Sequence, residues 1–99
     1  MTREQIENSF VADIEKIMSL PIQKVDVYRW TDKFVFRVVK ITVYAGGRYF
    51  VLDEIPGNTS SLDVVVDGKP FWVTGQKNFN KLVNIRGQLL EQYNKKIKG

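Results

Sequence analysis

Neither cysteine nor histidine occurs among the 99 residues of this chain. The lack of cysteine excludes disulfide bonds, thiolate metal sites and thiol catalysis. The lack of histidine excludes zinc sites built on imidazole and acid–base relays that pass through a histidine. Because these absences remove many routes to catalysis, we predict that the protein is not an enzyme and uses no metal, cofactor or small-molecule substrate.

Long apolar runs are also missing from the chain. The N-terminal sequence MTREQIENSF is polar and lacks the apolar core of a signal peptide. No apolar run elsewhere approaches the roughly 20 residues that a membrane-spanning helix needs. We therefore expect an intracellular protein that does not associate with membranes.

The net charge of +4 is unevenly distributed along the chain. Residues 1–20 carry two basic and four acidic side chains, a net of −2, whereas residues 76–99 carry six basic and one acidic, a net of +5. The basic segment could bind a phosphate backbone. It could equally lie beside the acidic segment, within one chain or across a dimer, and both alternatives stay open.

Both ends of the chain have the pattern of an amphipathic helix. Thr2 and Gln5 form a capping-box pattern at the start of the first helix, and Pro21 should end it. The second helix should begin near Thr74 or Gln76, and Gly87 within it predicts a site of close packing. The apolar stripes comprise Ile6, Phe10, Val11, Ile14, Ile17 and Met18 in the first helix, and Phe79, Leu82, Val83, Leu90, Tyr93 and Ile97 in the second.

Between these helices the sequence predicts three long strands and a short hairpin. Residues 25–30, 33–44 and 48–53 are rich in β-branched and aromatic side chains, with turns at 31–33 and at the two glycines 46–47. Residues 64–73 contain two short apolar runs around Asp67-Gly68, a strong signal for a two-residue turn. We predict one α+β domain over residues 1–99, of order α-β-β-β-β-β-α, whose antiparallel sheet is flanked by the terminal helices.

The longest strand, KFVFRVVKITVY at residues 33–44, is apolar on both faces. A bulge near Val38 would keep a single buried face, but the neighbouring strands are apolar on both sides as well. The hairpin at 64–73 could instead fold over the second face. We favour a third alternative, a homodimer in which a second copy covers this face, with Phe34, Phe36 and Val38 as interface residues.

Arg86 lies within the apolar stripe of the second helix, where an unpaired charge is costly. Its side chain could extend to water at the edge of the core. Alternatively, it lies at a subunit contact or binding groove, paired with a carboxylate or a ligand anion.

A metal-dependent nuclease site could be composed from Asp53, Glu54, Asp67 and Lys69, since such sites combine carboxylates with a lysine. Asp67-Gly68 is also the commonest kind of hairpin turn, and a turn tip is a poor place to hold a metal ion. We therefore interpret these residues as a turn.

Nucleic-acid binding is the alternative function that the sequence suggests. Lys77, Lys81, Lys95 and Lys98 lie on the basic C-terminal helix and could follow a phosphate backbone, although such lysines often form only a solvated face. The helix–strands–helix order resembles a double-stranded-RNA-binding domain, with TGQKNFNK as a faint counterpart of its second-helix start. An additional hairpin precedes that helix here.

The chain as a whole resembles the small orphan accessory proteins of DNA viruses and mobile elements, such as those of crenarchaeal filamentous viruses. The resemblance rests on the short length, the lack of cysteine and the lack of any catalytic motif rather than on one sequence motif. It implies an accessory protein that acts by binding, in the host cytoplasm if the protein is viral.

Overall fold

The computed structural model of the chain describes residues 1–31, 37–55 and 60–98. It contains two helices and five strands, and it confirms the predicted α+β class. In chain order they are α1 (Arg3–Met18), β1 (Ile22–Thr31), β2 (Arg37–Ala45), β3 (Arg48–Glu54), β4 (Leu62–Val66), β5 (Lys69–Val73) and α2 (Gln76–Lys98).

The five strands form one antiparallel sheet in the order in which they follow along the chain. Two of the turns that join them have positive φ at both central residues, which gives the twist that a two-residue hairpin requires. These residues are Gly46 (59°) with Gly47 (75°), and Asp67 (49°) with Gly68 (87°). The β4–β5 hairpin therefore continues the sheet and does not fold over it.

The hydrophobic core lies between the two helices and one face of the sheet. The capping box of Thr2 and Gln5 begins α1 as predicted. The predicted stripes supply buried side chains to this core, but Leu89, which is fully buried, was not among them. The buried apolar residues are Val11, Ile14, Ile17, Ile41, Val43, Ala45, Phe50, Leu52, Leu62, Val64, Val66, Val73, Leu82 and Leu89.

The register of β2 excludes a bulge at Val38. Its pairing with β1 runs without a break from Tyr44 to Arg37, and the irregularity in this ladder lies between Ile22 and Lys24. Ile41, Val43 and Ala45 alternate with outward-facing residues and are completely buried. The bulge interpretation is therefore wrong, and β2 has one buried face over its described length.

A buried carboxylate joins the start of α2 to α1. Glu7 is 3% exposed, and its Oε1 accepts a hydrogen bond from the Gly75 backbone N–H at 3.0 Å. The backbone N–H and hydroxyl of Thr74 both lie 3.5 Å from Oε2, and the Arg3 Nε lies 3.4 Å from it. Since α2 has no acidic residue in its own first turn, Glu7 supplies the negative charge that a helix N-terminus favours.

Gly87 lies in the interior of α2, but it is not a site of close packing. A Cβ atom built there would meet nothing within 4 Å. The prediction of a close approach at this residue is therefore wrong. The glycine lowers the stability of α2 because it gives the unfolded chain more freedom than alanine would.

Replacing Gly87 by alanine should raise the free energy of unfolding by about 1 kcal/mol, since the helix gains propensity and no atom has to move. Urea denaturation followed by circular dichroism measures this change. The matched control is Gly46→Ala, which should destabilise the protein because φ is +59° and the new Cβ would lie 2.8 Å from Leu20 Cδ1. A destabilising Gly87→Ala would mean that the glycine has a packing role.

Candidate functional site

The side of the sheet opposite the helices is not covered by any described helix or strand. We call this side the open face. The cross-strand register places its residues, since residues directly opposite each other share a face. Those with described side chains are Lys24, Asp26, Tyr28, Trp30, Lys40, Thr42, Tyr44, Tyr49, Val51, Asp53, Asp63, Val65, Pro70 and Trp72.

Large aromatic side chains are exposed on the open face. The exposed fraction is 62% for Tyr28, 50% for Trp72 and 40% for Tyr44. The ring of Tyr44 stacks on that of Tyr49, with centroids 5.9 Å apart. Single exposed apolar residues are ordinary, but several on one uncovered sheet face are typical of a binding surface.

One cross-strand row runs through the centre of the open face and includes a residue from every strand. In order it is Tyr28, Lys40, Asp53, Asp63 and Trp72, each directly opposite the next in the register. The row therefore has an aromatic ring at each end and three charged side chains between them. We call it the central row.

The two carboxylates of the central row, Asp53 and Asp63, stand directly opposite each other. Asp53 and Asp63 form no hydrogen bond or ion pair with any described residue. Burial raises the pKa of Asp53, Lys40 lowers it, and the charge of Asp63 raises it again. Like charges directly opposite on a sheet are destabilising, so the Asp53–Asp63 pair costs stability, which the charge of Lys40 opposite Asp53 offsets in part.

Two open concavities meet at the centre of the row. One, of about 660 Å³, extends over β1 toward Trp30 and Tyr93. The other, of about 620 Å³, extends over β4 and β5 toward Pro70 and Trp72. Both are lined by Lys40 and Asp53, so these two side chains would contact whatever packs on either half of the face.

Among the predicted interface residues, only Arg86 has a described side chain. Phe34 and Phe36 lie outside the described residues, as does the side chain of Val38, whose backbone stands opposite Trp30. Arg86 pairs with Glu54, on the helix side of the sheet, and both side chains are about a quarter exposed (24% and 22%). Arg86 is therefore held by a carboxylate of its own chain and is not part of the open face.

The predicted basic surface of α2 is exposed, but it is not uniformly basic. Lys77 and Lys81 are one helical turn apart and form no ion pair with a described residue. Lys95 pairs with Glu91 at 3.4 Å, and the side chain of Lys98 lies outside the described residues.

The carboxylates considered for a nuclease site do not come together. Asp53 and Glu54 are adjacent in β3 and face opposite sides of the sheet. Asp67 lies in a turn, where Arg48 donates to it from Nε at 3.0 Å and from Nη2 at 2.8 Å. These bonds, with one from the Tyr49 backbone N–H, lower the pKa of Asp67. Within the described ranges no group of three potential metal ligands occurs.

Comparison with known proteins gives no match. No protein-family model, curated protein or solved structure is significantly similar to this chain. The viral or mobile-element resemblance therefore stays a prediction. Neither α1 nor α2, over the described residues, has both the length and the apolar content needed to cross a membrane.

The Asp53→Asn variant should be more stable than the wild type at neutral pH, by a few tenths of a kcal/mol. Folding raises the pKa of Asp53, so ionised Asp53 disfavours the folded state; the gain should shrink as the pH falls through the ordinary aspartate pKa and be largely lost near about pH 3, where the carboxyl is mostly protonated in both states. Urea denaturation at pH 7 and at about pH 3, at a protein concentration low enough to avoid self-association, measures this difference in the free energy of unfolding. Asp26→Asn is the control and should show no gain, because Asp26 pairs with Lys24 at 3.6 Å.

Proposed function

We propose that the protein is a non-enzymatic interaction module that forms a homodimer through the open face of its sheet. The observation that supports this proposal is the exposure of aromatic side chains on a face that no described helix or strand covers. A second copy would remove this apolar surface from water and add stability to a small domain.

The size of the open face suits a weak or moderate dimer. Five strands spaced about 4.8 Å apart give a width of about 24 Å, and a strand of six residues is about 20 Å long. Two such faces would bury on the order of 1,000 Å² or somewhat more, which is near the lower end for specific interfaces. We therefore expect a dissociation constant in the micromolar range.

The charges of the open face favour a partner of mixed charge over a strongly charged one. Lys24 and Lys40 stand against Asp26, Asp53 and Asp63, a net of −1. A polyanion would meet the two opposed carboxylates at the centre, and a polycation would meet Lys40. A second copy of the same face carries both signs and can match them.

The dimer is tested by sedimentation equilibrium on the wild type and on Trp72→Glu. The wild type should dimerise in the micromolar range, and Trp72→Glu should be a folded monomer because it places a new charge against the apolar edge of the interface. Gln92→Glu is the matched control: it makes the same change of charge at an exposed position of α2 and should leave the dimer intact. A wild type that remains monomeric at hundreds of micromolar would refute the proposal.

A second candidate function is nucleic-acid binding through α2. The observation that favours it is the exposure of Lys77 and Lys81, which are free of acidic partners in the part of the chain that the structure describes. Their ammonium groups could displace counterions from a phosphate backbone. Glu91, which pairs with Lys95 further along the helix, would weaken such an interaction.

Electrophoretic retardation at low salt tests this second candidate. If α2 binds nucleic acid, the Lys77→Glu/Lys81→Glu variant should lose retardation, and wild-type affinity should fall steeply as salt is added. Lys24→Glu/Lys69→Glu is the control with an equal change of net charge elsewhere on the protein. Equal loss in both double variants would indicate nonspecific attraction to a basic protein, and no retardation of the wild type would remove the candidate.

A further inference from the structure

We infer that the two copies pack face to face about a two-fold axis that is parallel to the strands and passes over Asp53, so that Lys40 of each copy meets Asp63 of the other. This inference rests on the proposed homodimer and specifies its geometry. The observation that carries it is the order of side chains in the central row: Tyr28, Lys40, Asp53, Asp63, Trp72.

When the central row of one copy faces the same row in reversed order, opposite charges face each other and aromatic rings face each other. A two-fold axis parallel to the strands reverses the order in the second copy. With Asp53 at the centre, Lys40 then faces Asp63, and Tyr28 at one end faces Trp72 at the other. Packed sheets lie about 10 Å apart, which an extended lysine and an aspartate side chain span together. The usual rotation of about 30° between packed sheets leaves these residues near the axis in contact range.

The other simple arrangement places like charges together. A two-fold axis that runs across the strands preserves the order of the row, so Lys40 would face Lys40 and Asp63 would face Asp63, in addition to the Asp53 pair that both axes create. Like charges in an interface cost free energy and exclude wrong arrangements. Charge order therefore selects the axis parallel to the strands.

The axis parallel to the strands also brings the two opposed carboxylates, Asp53 and Asp63, into contacts between the copies. In one chain Asp53 and Asp63 repel each other; Asp53 has the charge of Lys40 directly opposite it, and Asp63 pairs with no basic side chain among the described residues. In the dimer Asp63 gains Lys40 of the second copy, while the two copies of Asp53 meet at the axis. Burial already raises the pKa of Asp53, and the approach of its second copy at the axis would raise it further, because two close carboxylates disfavour the ionisation of both.

A charge exchange tests the contact between Lys40 and Asp63. Lys40→Glu alone and Asp63→Lys alone should each weaken the dimer by about tenfold or more, because each variant places like charges at two symmetric contacts. The variant with both substitutions should return to within about threefold of the wild-type dissociation constant. Within one chain these residues lie two strands apart, about 10 Å, where their direct interaction is largely screened. Both residues flank Asp53 within one chain, so restoration reports a contact between copies when each single variant remains folded and only its dissociation constant has changed.

The matched control combines Lys40→Glu with Asp26→Lys. This variant has the same net charge as the exchange, but Asp26 belongs to a different cross-strand row and would not face position 40. It should stay as weak as Lys40→Glu alone. Circular dichroism on each variant separates loss of the dimer from loss of the fold.

Chemical crosslinking gives a second test that does not depend on affinity. The chain has no cysteine, so single cysteines can be introduced without background. With a short thiol-specific crosslinker that spans only about 5 Å, Asp53→Cys should crosslink to itself, and a mixture of Lys40→Cys with Asp63→Cys should crosslink to each other, since facing side chains of packed sheets lie within that distance. Asp63→Cys alone should crosslink poorly, because its two copies lie on opposite sides of the axis.

The possible outcomes distinguish a wrong axis from a wrong homodimer proposal. If the wild type is monomeric, the homodimer itself is refuted. If the wild type dimerises and Trp72→Glu separates it, but the charge exchange does not restore the dimer or Asp63→Cys crosslinks to itself as well as Asp53→Cys does, then the dimer stands and the axis is wrong.

Discussion

The buried carboxylate of Glu7 fixes the arrangement on which the rest of the structure depends. It accepts the backbone N–H of Gly75 at the start of α2 and so holds that helix beside α1 on the same side of the sheet. A neighbouring bond from the Asn78 side chain to Asn8, at 3.0 Å, joins the same two helices. With both helices on one side, the chain has no described element left for the other side.

That one-sided arrangement gives the two faces of the sheet different energetics. On the helix side the central apolar residues of the sheet, such as Ile41, Phe50 and Leu52, are almost completely buried, and Glu54 has its partner in Arg86. On the open face aromatic rings are exposed, and Asp53 opposes Asp63 without an ion pair. Natural proteins retain such costs where they serve function or specificity. This difference between the helix side and the open face is the reason to look for the function on the open face.

Asp67, in the turn between β4 and β5, helps to extend the open face. Asp67 occupies a position with φ of 49° in the tight turn between β4 and β5. Its carboxylate is held by Arg48 and by the Tyr49 backbone N–H, both at the start of β3. The turn therefore stays in line with β3, and β5 adds Pro70 and Trp72 to the open face instead of covering it. The Arg3 side chain, which donates to the Trp72 carbonyl, connects this edge of the sheet to α1.

The sequence by itself determined the elements and their order, because local chemistry specifies them. The capping box at Thr2, the two tight turns and the β-branched and aromatic composition of β2 act within a few residues of the chain. Periodicity also predicted most of the core stripe of α1. It did not predict that Glu7 within that stripe would be buried, since its partners lie 67 and 68 residues away. Only the tertiary structure decided which face of β2 is covered, that the 64–73 region extends the sheet, and that Asp53 and Asp63 oppose each other. These features depend on strand register and helix placement, which are set by contacts between residues that are distant in sequence.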